Sequence, residues 1–157
     1  MNLPVTLRRA TPADAARLLE IENLSFVTDQ IKPRQMRYLI SRASAVTLVA
    51  EVGEQIVGYL LVLVPKSPRP ARIYSVAVAP VYRGQNVAQQ LLRFALGYLR
   101  SLQYAVVRLE VRAGDQRAQT LYRRLGFSPV SRLAQYYADG EAAVRMQLNL
   151  EVPHPSE

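Results

Sequence analysis

The sequence predicts an α/β domain of the α+β kind, built on a mixed central sheet of about seven strands with about four helices. Three observations predict it. Two adjacent runs rich in β-branched residues, Ala45 to Val52 and Gln55 to Val64, are separated only by Gly53-Glu54, the pattern of an antiparallel hairpin. From Val87 the apolar residues Leu91, Phe94, Ala95, Tyr98, Leu99 and Leu102 recur at helical spacing, which predicts a helix of about four turns with one buried face. Half of the 157 residues are apolar, enough for a substantial core in one domain over residues 1–150, followed by a proline-bearing tail at 151–157.

The remaining elements follow in chain order. Val5 to Arg9 reads as a short strand. Thr11, Pro12 and Asp14 supply an N-cap, a first-turn proline and an acidic third position, so a helix starts at Pro12 with Leu18, Ile21 and Leu24 as its apolar stripe. Ser25 to Lys32 is a loop, and a second helix begins at Pro33 with Met36, Leu39 and Ile40 at helical spacing. After the hairpin, Pro65, Pro68 and Pro70 enforce a loop before Arg72 to Ala79 resumes as a strand. Beyond the long helix, Tyr104 to Val111 alternates as a strand, and Asp115 can cap a helix running to about Leu125, which Gly126 ends. Phe127 to Leu133 and Glu141 to Leu150 are closing strands, joined across Tyr136, Tyr137 and an Asp139-Gly140 turn.

Composition removes whole classes of chemistry. The chain has no cysteine, so no disulfide framework, thiol nucleophile or Cys-ligated metal site is expected. Its one histidine, His154, lies in the tail and cannot form a histidine cluster or triad, so no metal is expected. Acid–base chemistry therefore falls to Glu, Asp or Tyr. The formal charge is +8, and every basic residue except Lys32 and Lys66 is an arginine, whose planar fork suits a polyanionic ligand. No signal-peptide pattern and no apolar run approaching the ~18 residues of a membrane span is present. A cytoplasmic protein without a membrane partner is the expectation.

Between Pro80 and Leu92 a strand exit, a tight turn and a helix start follow one another. The first amides of a helix have no intrahelical acceptors and carry the positive end of its dipole, so they can receive phosphate oxygens. Arg83 adds a full charge, Gly84 permits close backbone approach, and Ala88 keeps the first helical turn from blocking a ligand. The same residues also suit a polar loop that merely opens a helix.

The stretch Arg83-Gly84-Gln85-Asn86-Val87-Ala88 resembles the Arg/Gln-x-x-Gly-x-Gly/Ala signature of the GCN5-related N-acetyltransferase family, in which this turn holds the pyrophosphate of acetyl-coenzyme A. Asn86 stands in place of the central glycine; asparagine is the non-glycine residue most tolerant of positive φ. Leu109-Glu110-Val111-Arg112, Ala118 and Leu121 to Phe127 resemble the family's next block. Ile73 to Pro80, Tyr136-Tyr137 and Ala142 to Leu148 are similar to the subgroup that acetylates protein N-terminal amines, typified by ribosomal-protein alanine acetyltransferases. The resemblance covers roughly Val5 to Leu150, with its blocks in family order.

That resemblance implies an acyltransferase with acetyl-coenzyme A as cosubstrate. It implies that Val76, Ala77 and Val78 offer backbone groups to the pantetheine arm and thioester, and that Arg83, Gly84, Gln85, Asn86, Val87 and Ala88 hold the pyrophosphate. Glu110 matches the general base and Tyr122 the donor of a proton to the departing thiolate. Alternation points Glu110 away from Leu109 and Val111, towards a cleft or, in a plainer role, towards Arg108 or Arg112. Asp115 matches a cofactor-contacting asparagine and serves equally as a helix N-cap. Tyr136 and Tyr137 face the acceptor region shaped by Ser25 to Lys32, where Val27-Thr28-Asp29-Gln30 departs from the subgroup's Pro-Trp-Ser type segment.

The expected acceptor is a protein N-terminal amine, with a small-molecule amine as the alternative. A non-catalytic coenzyme A-binding regulatory domain is a further alternative. A nucleic-acid role is disfavoured, because the arginines are spread from Arg8 to Arg145 and form no basic stripe with stacking aromatics. Either a monomer or a homodimer is compatible with the sequence.

Overall fold

The computed structural model describes residues 3–66 and 68–150, so the tail expected at 151–157 lies outside the described residues. These residues form a seven-stranded mixed sheet in the order β1-β2-β3-β4-β5-β7-β6. The strands are β1 (Thr6–Arg9), β2 (Ala45–Val52), β3 (Gln55–Leu63), β4 (Ala71–Val78), β5 (Val106–Arg112), β6 (Ser128–Leu133) and β7 (Ala143–Asn149). Four α-helices accompany them: α1 (Ala15–Ser25), α2 (Pro33–Ser41), α3 (Val87–Ser101) and α4 (Gln116–Arg124).

The β2–β3 hairpin turns at Gly53, whose φ of 61° is the left-handed value such a turn requires. Both strands are buried almost throughout because helices cover the two faces of the sheet there. On one face, Leu18, Ile21, Met36 and Leu39 of α1 and α2 pack against Val49, Tyr59 and Leu61. On the other, Leu91, Leu92, Ala95 and Leu99 of α3 pack against Leu48, Leu60 and Val62, in a core that continues through Leu109, Tyr122, Phe127 and Met146. Gly58 makes that second contact possible: a Cβ there would stand 3.1 Å from the Ala77 carbonyl oxygen and 3.2 Å from Val87 Cγ1. The start of α3 is thereby drawn down beside the end of β4.

Several boundaries and faces differ from expectation, each for a local reason. Pro12–Asp14 is a 3₁₀ turn and α1 proper begins at Ala15. The capping interaction survives, since the Asp14 carboxylate accepts from the Thr11 N–H at 2.7 Å. Leu24 is 61% exposed, because successive i+3 steps rotate about 60° off the buried face. Glu22 occupies that face instead, only 2% exposed. In α3 the stripe runs through Leu92 and Leu96, while Phe94 lies on its margin and Leu102 beyond the last turn, both exposed. Strands β5 and β7 each start two residues later than expected, at Val106 and Ala143.

The feature that positions the site is a split in the sheet. β4 runs parallel to β5, and their pairing is Ala71↔Val107 and Arg72↔Arg108 and goes no further among the described residues. β4 continues against β3 as far as Val78, while β5 continues against β7 as far as Arg112. The two strands therefore diverge after Arg72, leaving a gap between the halves of the sheet.

Candidate active site

The gap is the mouth of a cavity of about 760 Å³. Its walls are Arg72 to Val76 from β4, Leu109 to Arg112 from β5, Asp115, Ala118 and Tyr122 at α4, the loop after α1, and Tyr136, Tyr137, Asp139 and Glu141 before β7. Glu110, Tyr122, Asp115, Val76, Tyr136 and Tyr137, far apart in sequence, thus share one cleft.

Glu110 lies on the opposite side of β5 from the buried Leu109 and Val111, as its alternation requires. Its carboxylate does not pair with Arg108 or Arg112. Arg72 Nε donates to Oε1 at 2.7 Å and Arg145 Nε to Oε2 at 2.9 Å, and the Glu110 side chain is only 6% exposed. The correction follows from register: Arg145 is the direct antiparallel partner of Glu110, and Arg72 sits on the parallel neighbour.

Tyr122 is buried, packs edge-on against Phe127 at 5.9 Å, and its hydroxyl makes no hydrogen bond among the described residues. Burial first, then the nearby Asp115 carboxylate, raises its phenol well above the ordinary tyrosine range. The group is therefore a neutral O–H at any physiological pH, the state a proton donor needs. Asp115 takes the expected capping role, its carboxylate accepting from the Ala118 N–H at 3.0 Å, and it also lines the cavity. Tyr136 and Tyr137 stand edge to face at 5.0 Å, with the Tyr136 hydroxyl accepting from Arg72 Nη2 at 2.9 Å. The Tyr137 phenol is pushed up to about 12, chiefly by burial.

The turn from Arg83 to Ala88 lies outside this cavity, at the foot of α3. Gly84 has φ 79° and Asn86 φ 62°, so the asparagine adopts the left-handed conformation expected of it. Among the described residues no acceptor meets the N–H groups of Gly84, Gln85, Val87 or Ala88, and a Cβ on Gly84 would meet nothing within 4 Å. Four amides without acceptors at a helix start, with open space beside Gly84, fit a phosphate group. Arg83 is also a strut, donating from Nε to the Val78 carbonyl at 3.0 Å and from Nη2 to Ser25 Oγ at 3.1 Å. Ala77 and Val78, like the turn, are not part of the cavity wall; Val76 is. Among the described residues no group of three or more His, Cys, Asp and Glu is placed to hold a metal ion.

Residues 15–127 match the model of the acetyltransferase (GNAT) family. The chain belongs to that family. This makes it an acyltransferase. The N-alpha-acetyltransferase RimI of Mycobacterium tuberculosis is 33% identical, the match spanning 85% of each chain. The Ard1 structure from Thermoplasma volcanium superposes with a TM-score of 0.87 at 26% identity, covering 96% of this chain and all of that one. The fold is equally shared with the ribosomal-protein-S18-alanine N-acetyltransferase from Escherichia coli, with a TM-score of 0.87 at 22% identity over 98% of this chain and 99% of that one.

In this GNAT-family chain, two groups at the cleft escape a reading of the sequence. Glu22 is a buried carboxylate whose Oε1 accepts from the Tyr59 and Ser75 hydroxyls and whose Oε2 accepts from the Ile31 N–H at 2.9 Å. Burial and then the Glu22 charge raise the Tyr59 phenol. The one signal was a charged residue at helical spacing from Leu18 within an apolar stripe. Arg112 is the second. Its guanidinium donates to Thr28 Oγ1 at 2.6 Å, Asp139 Oδ2 at 2.9 Å and Glu141 Oε1 at 2.8 Å, and its Cζ lies 4.1 Å from the Tyr137 ring centre. The hydrogen bond from Arg112 is the leading cause that lowers the Glu141 carboxyl. One side chain thus ties the loop after α1 to the segment before β7 across the cleft, a contact that no local pattern announces.

Proposed function

We propose that the chain transfers the acetyl group of acetyl-coenzyme A to a protein N-terminal α-amine. The lining of the cleft carries this reading. Carboxylates outnumber guanidiniums there by six, from Glu22, Asp29, Glu110, Asp115, Asp139 and Glu141, to two, from Arg72 and Arg112, although the whole chain is +8. A cavity of that polarity inside a basic protein draws in an ammonium group and leaves the outer arginines to the phosphates of the donor. Relatives that are N-alpha-acetyltransferases, such as the Mycobacterium tuberculosis protein, support the same acceptor class.

The donor supplies an activated thioester. The N–H groups of Gly84, Gln85, Val87 and Ala88, with Asn86 and Arg83, would hold its pyrophosphate. The free edge of β4 at Val76, Ala77 and Val78, exposed by the split from β5, would offer backbone groups to the pantetheine arm. The amine nitrogen then bonds to the acyl carbon as the carbon–sulfur bond breaks. The Tyr122 hydroxyl gives its proton to the leaving sulfur, and the proton lost by nitrogen passes through water to Glu110. A carboxylate is a weak base beside an amine, so this base suits a weakly basic acceptor. An α-amine, at roughly 7.7–8.0, meets that condition better than a lysine at roughly 10.4.

The test is an acceptor screen that follows release of free coenzyme A. It compares a peptide with a free N-terminus, the same peptide N-terminally blocked with an internal lysine, and a set of small amines. Turnover of the free peptide alone is expected. Turnover confined to small amines, or to the blocked lysine peptide, would falsify the α-amine assignment.

A further inference from the structure

Beside the catalytic cleft, on the far side of Arg72 and Glu110, lies a second cavity of about 200 Å³ lined by Pro70, Ala71, Arg72, Arg108, Glu110 and Arg145. It shares Arg72 and Glu110 with the first cavity, so the two adjoin on either side of that ion pair. Three guanidiniums meet one carboxylate in it. Arg72 and Arg145 both spend their charge on Glu110, and among the described residues Arg108 meets only the neutral Gln147 amide oxygen, at 2.9 Å. Arg72 and Arg108 are moreover direct partners across the β4–β5 pairing, where like charges side by side destabilise a sheet. No carboxylate of the chain offsets the surplus among the described residues of this cavity.

We propose that this cavity binds acidic side chains of the acceptor, at the second and third residues of the peptide, the acetylated residue being the first. The inference rests on the reading of the acceptor as a protein N-terminus and names which N-termini are taken. Length sets the positions. Arg108 lies two residues from Glu110 along β5, about 7 Å at the rise of a strand, and an extended peptide advances about 3.3–3.6 Å per residue. With the α-amine beside Glu110, the carboxylates of the next residues reach Arg145 and Arg108. The acceptor is then read as a cation followed by anions, matching an acidic cleft that adjoins a basic one. Both Arg72 and Arg145 keep over a third of their side-chain surface exposed, so an entering carboxylate can pair with them without displacing Glu110.

The experiment measures kcat/KM for three peptides that share an N-terminal alanine and differ at residues two and three: Asp-Asp, Asn-Asn and Arg-Arg. Each is tested on the wild type and on Arg108→Gln, which touches neither Glu110 nor Tyr122. Wild type should favour the Asp-Asp peptide over Asn-Asn by about tenfold and should lose that margin as salt is raised. Arg108→Gln should narrow the margin while leaving kcat for Asn-Asn unchanged. Equal use of Asp-Asp and Asn-Asn by the wild type, or a margin that survives in Arg108→Gln, overturns the proposal and leaves the α-amine reading intact. Turnover of small amines with none of the three peptides overturns both.

Discussion

At the scale of single residues the two groups assigned to proton transfer have opposite environments. Tyr122 is enclosed by apolar side chains and kept neutral, whereas the Glu110 carboxylate accepts from two guanidiniums. Removal of the Tyr122 hydroxyl leaves the cavity shape almost unchanged. Tyr122→Phe should therefore reduce kcat by about a hundredfold, with the thermal shift produced by acetyl-coenzyme A unaltered. Wild-type turnover in that variant would remove Tyr122 from the chemistry. The pH dependence has a definite sign. The phenol's value is raised above the ordinary 10.0, so it loses its proton later than a free tyrosine and remains a donor throughout the neutral and mildly alkaline range. The rate should climb with pH as the acceptor amine is freed near 8 and should show no tyrosine-dependent fall below about pH 10. A descending limb between those values that vanishes in Tyr122→Phe would contradict the environment described for it.

At the scale of elements, the start of α3 depends on two backbone conditions. Gly58 leaves room for the helix to approach β4, and Asn86 holds the left-handed conformation that closes the turn before it. An L-residue without a short polar side chain is strained at that φ by about 1 kcal/mol or more. Asn86→Ala should accordingly lower Tm and shrink the further rise in Tm produced by acetyl-coenzyme A. Asn86→Gly, which also removes the side chain but not the conformational freedom, should lose less of both. If the two variants behave alike in scanning fluorimetry with and without the donor, the left-handed turn is not what the donor requires.

At the scale of the molecule, the cleft is bounded by parts that meet only in the folded chain. Arg112 at the end of β5 joins Thr28 and Asp29 beyond α1 to Asp139 and Glu141 before β7. These segments wall the cleft proposed to take the acceptor, whereas the amides at the foot of α3 lie elsewhere. Arg112→Gln should raise KM for a peptide acceptor severalfold and leave affinity for acetyl-coenzyme A at its wild-type value, as read by steady-state kinetics and thermal shift. Equal losses on both sides would show that the clamp supports the whole sheet and not the acceptor wall.

The order of strands and helices, the hairpin at Gly53, the cap at Asp115 and the left-handed Asn86 were legible in the sequence, because each is decided by neighbours within a few residues. So was the placing of Glu110 opposite Leu109 and Val111, since alternation along one strand is local. The partners of Glu110 were not. Arg72 lies 38 residues away and Arg145 35, and both reach it through the register of strands that the chain's order does not reveal. The buried Glu22, the Arg112 clamp and the surplus charge around Arg108 belong to the same class. By itself the sequence determined which elements form and which chemistries are available. Only the tertiary structure decided which charges stand together, because pairing energies in a cleft depend on distances between segments and not on their spacing along the chain.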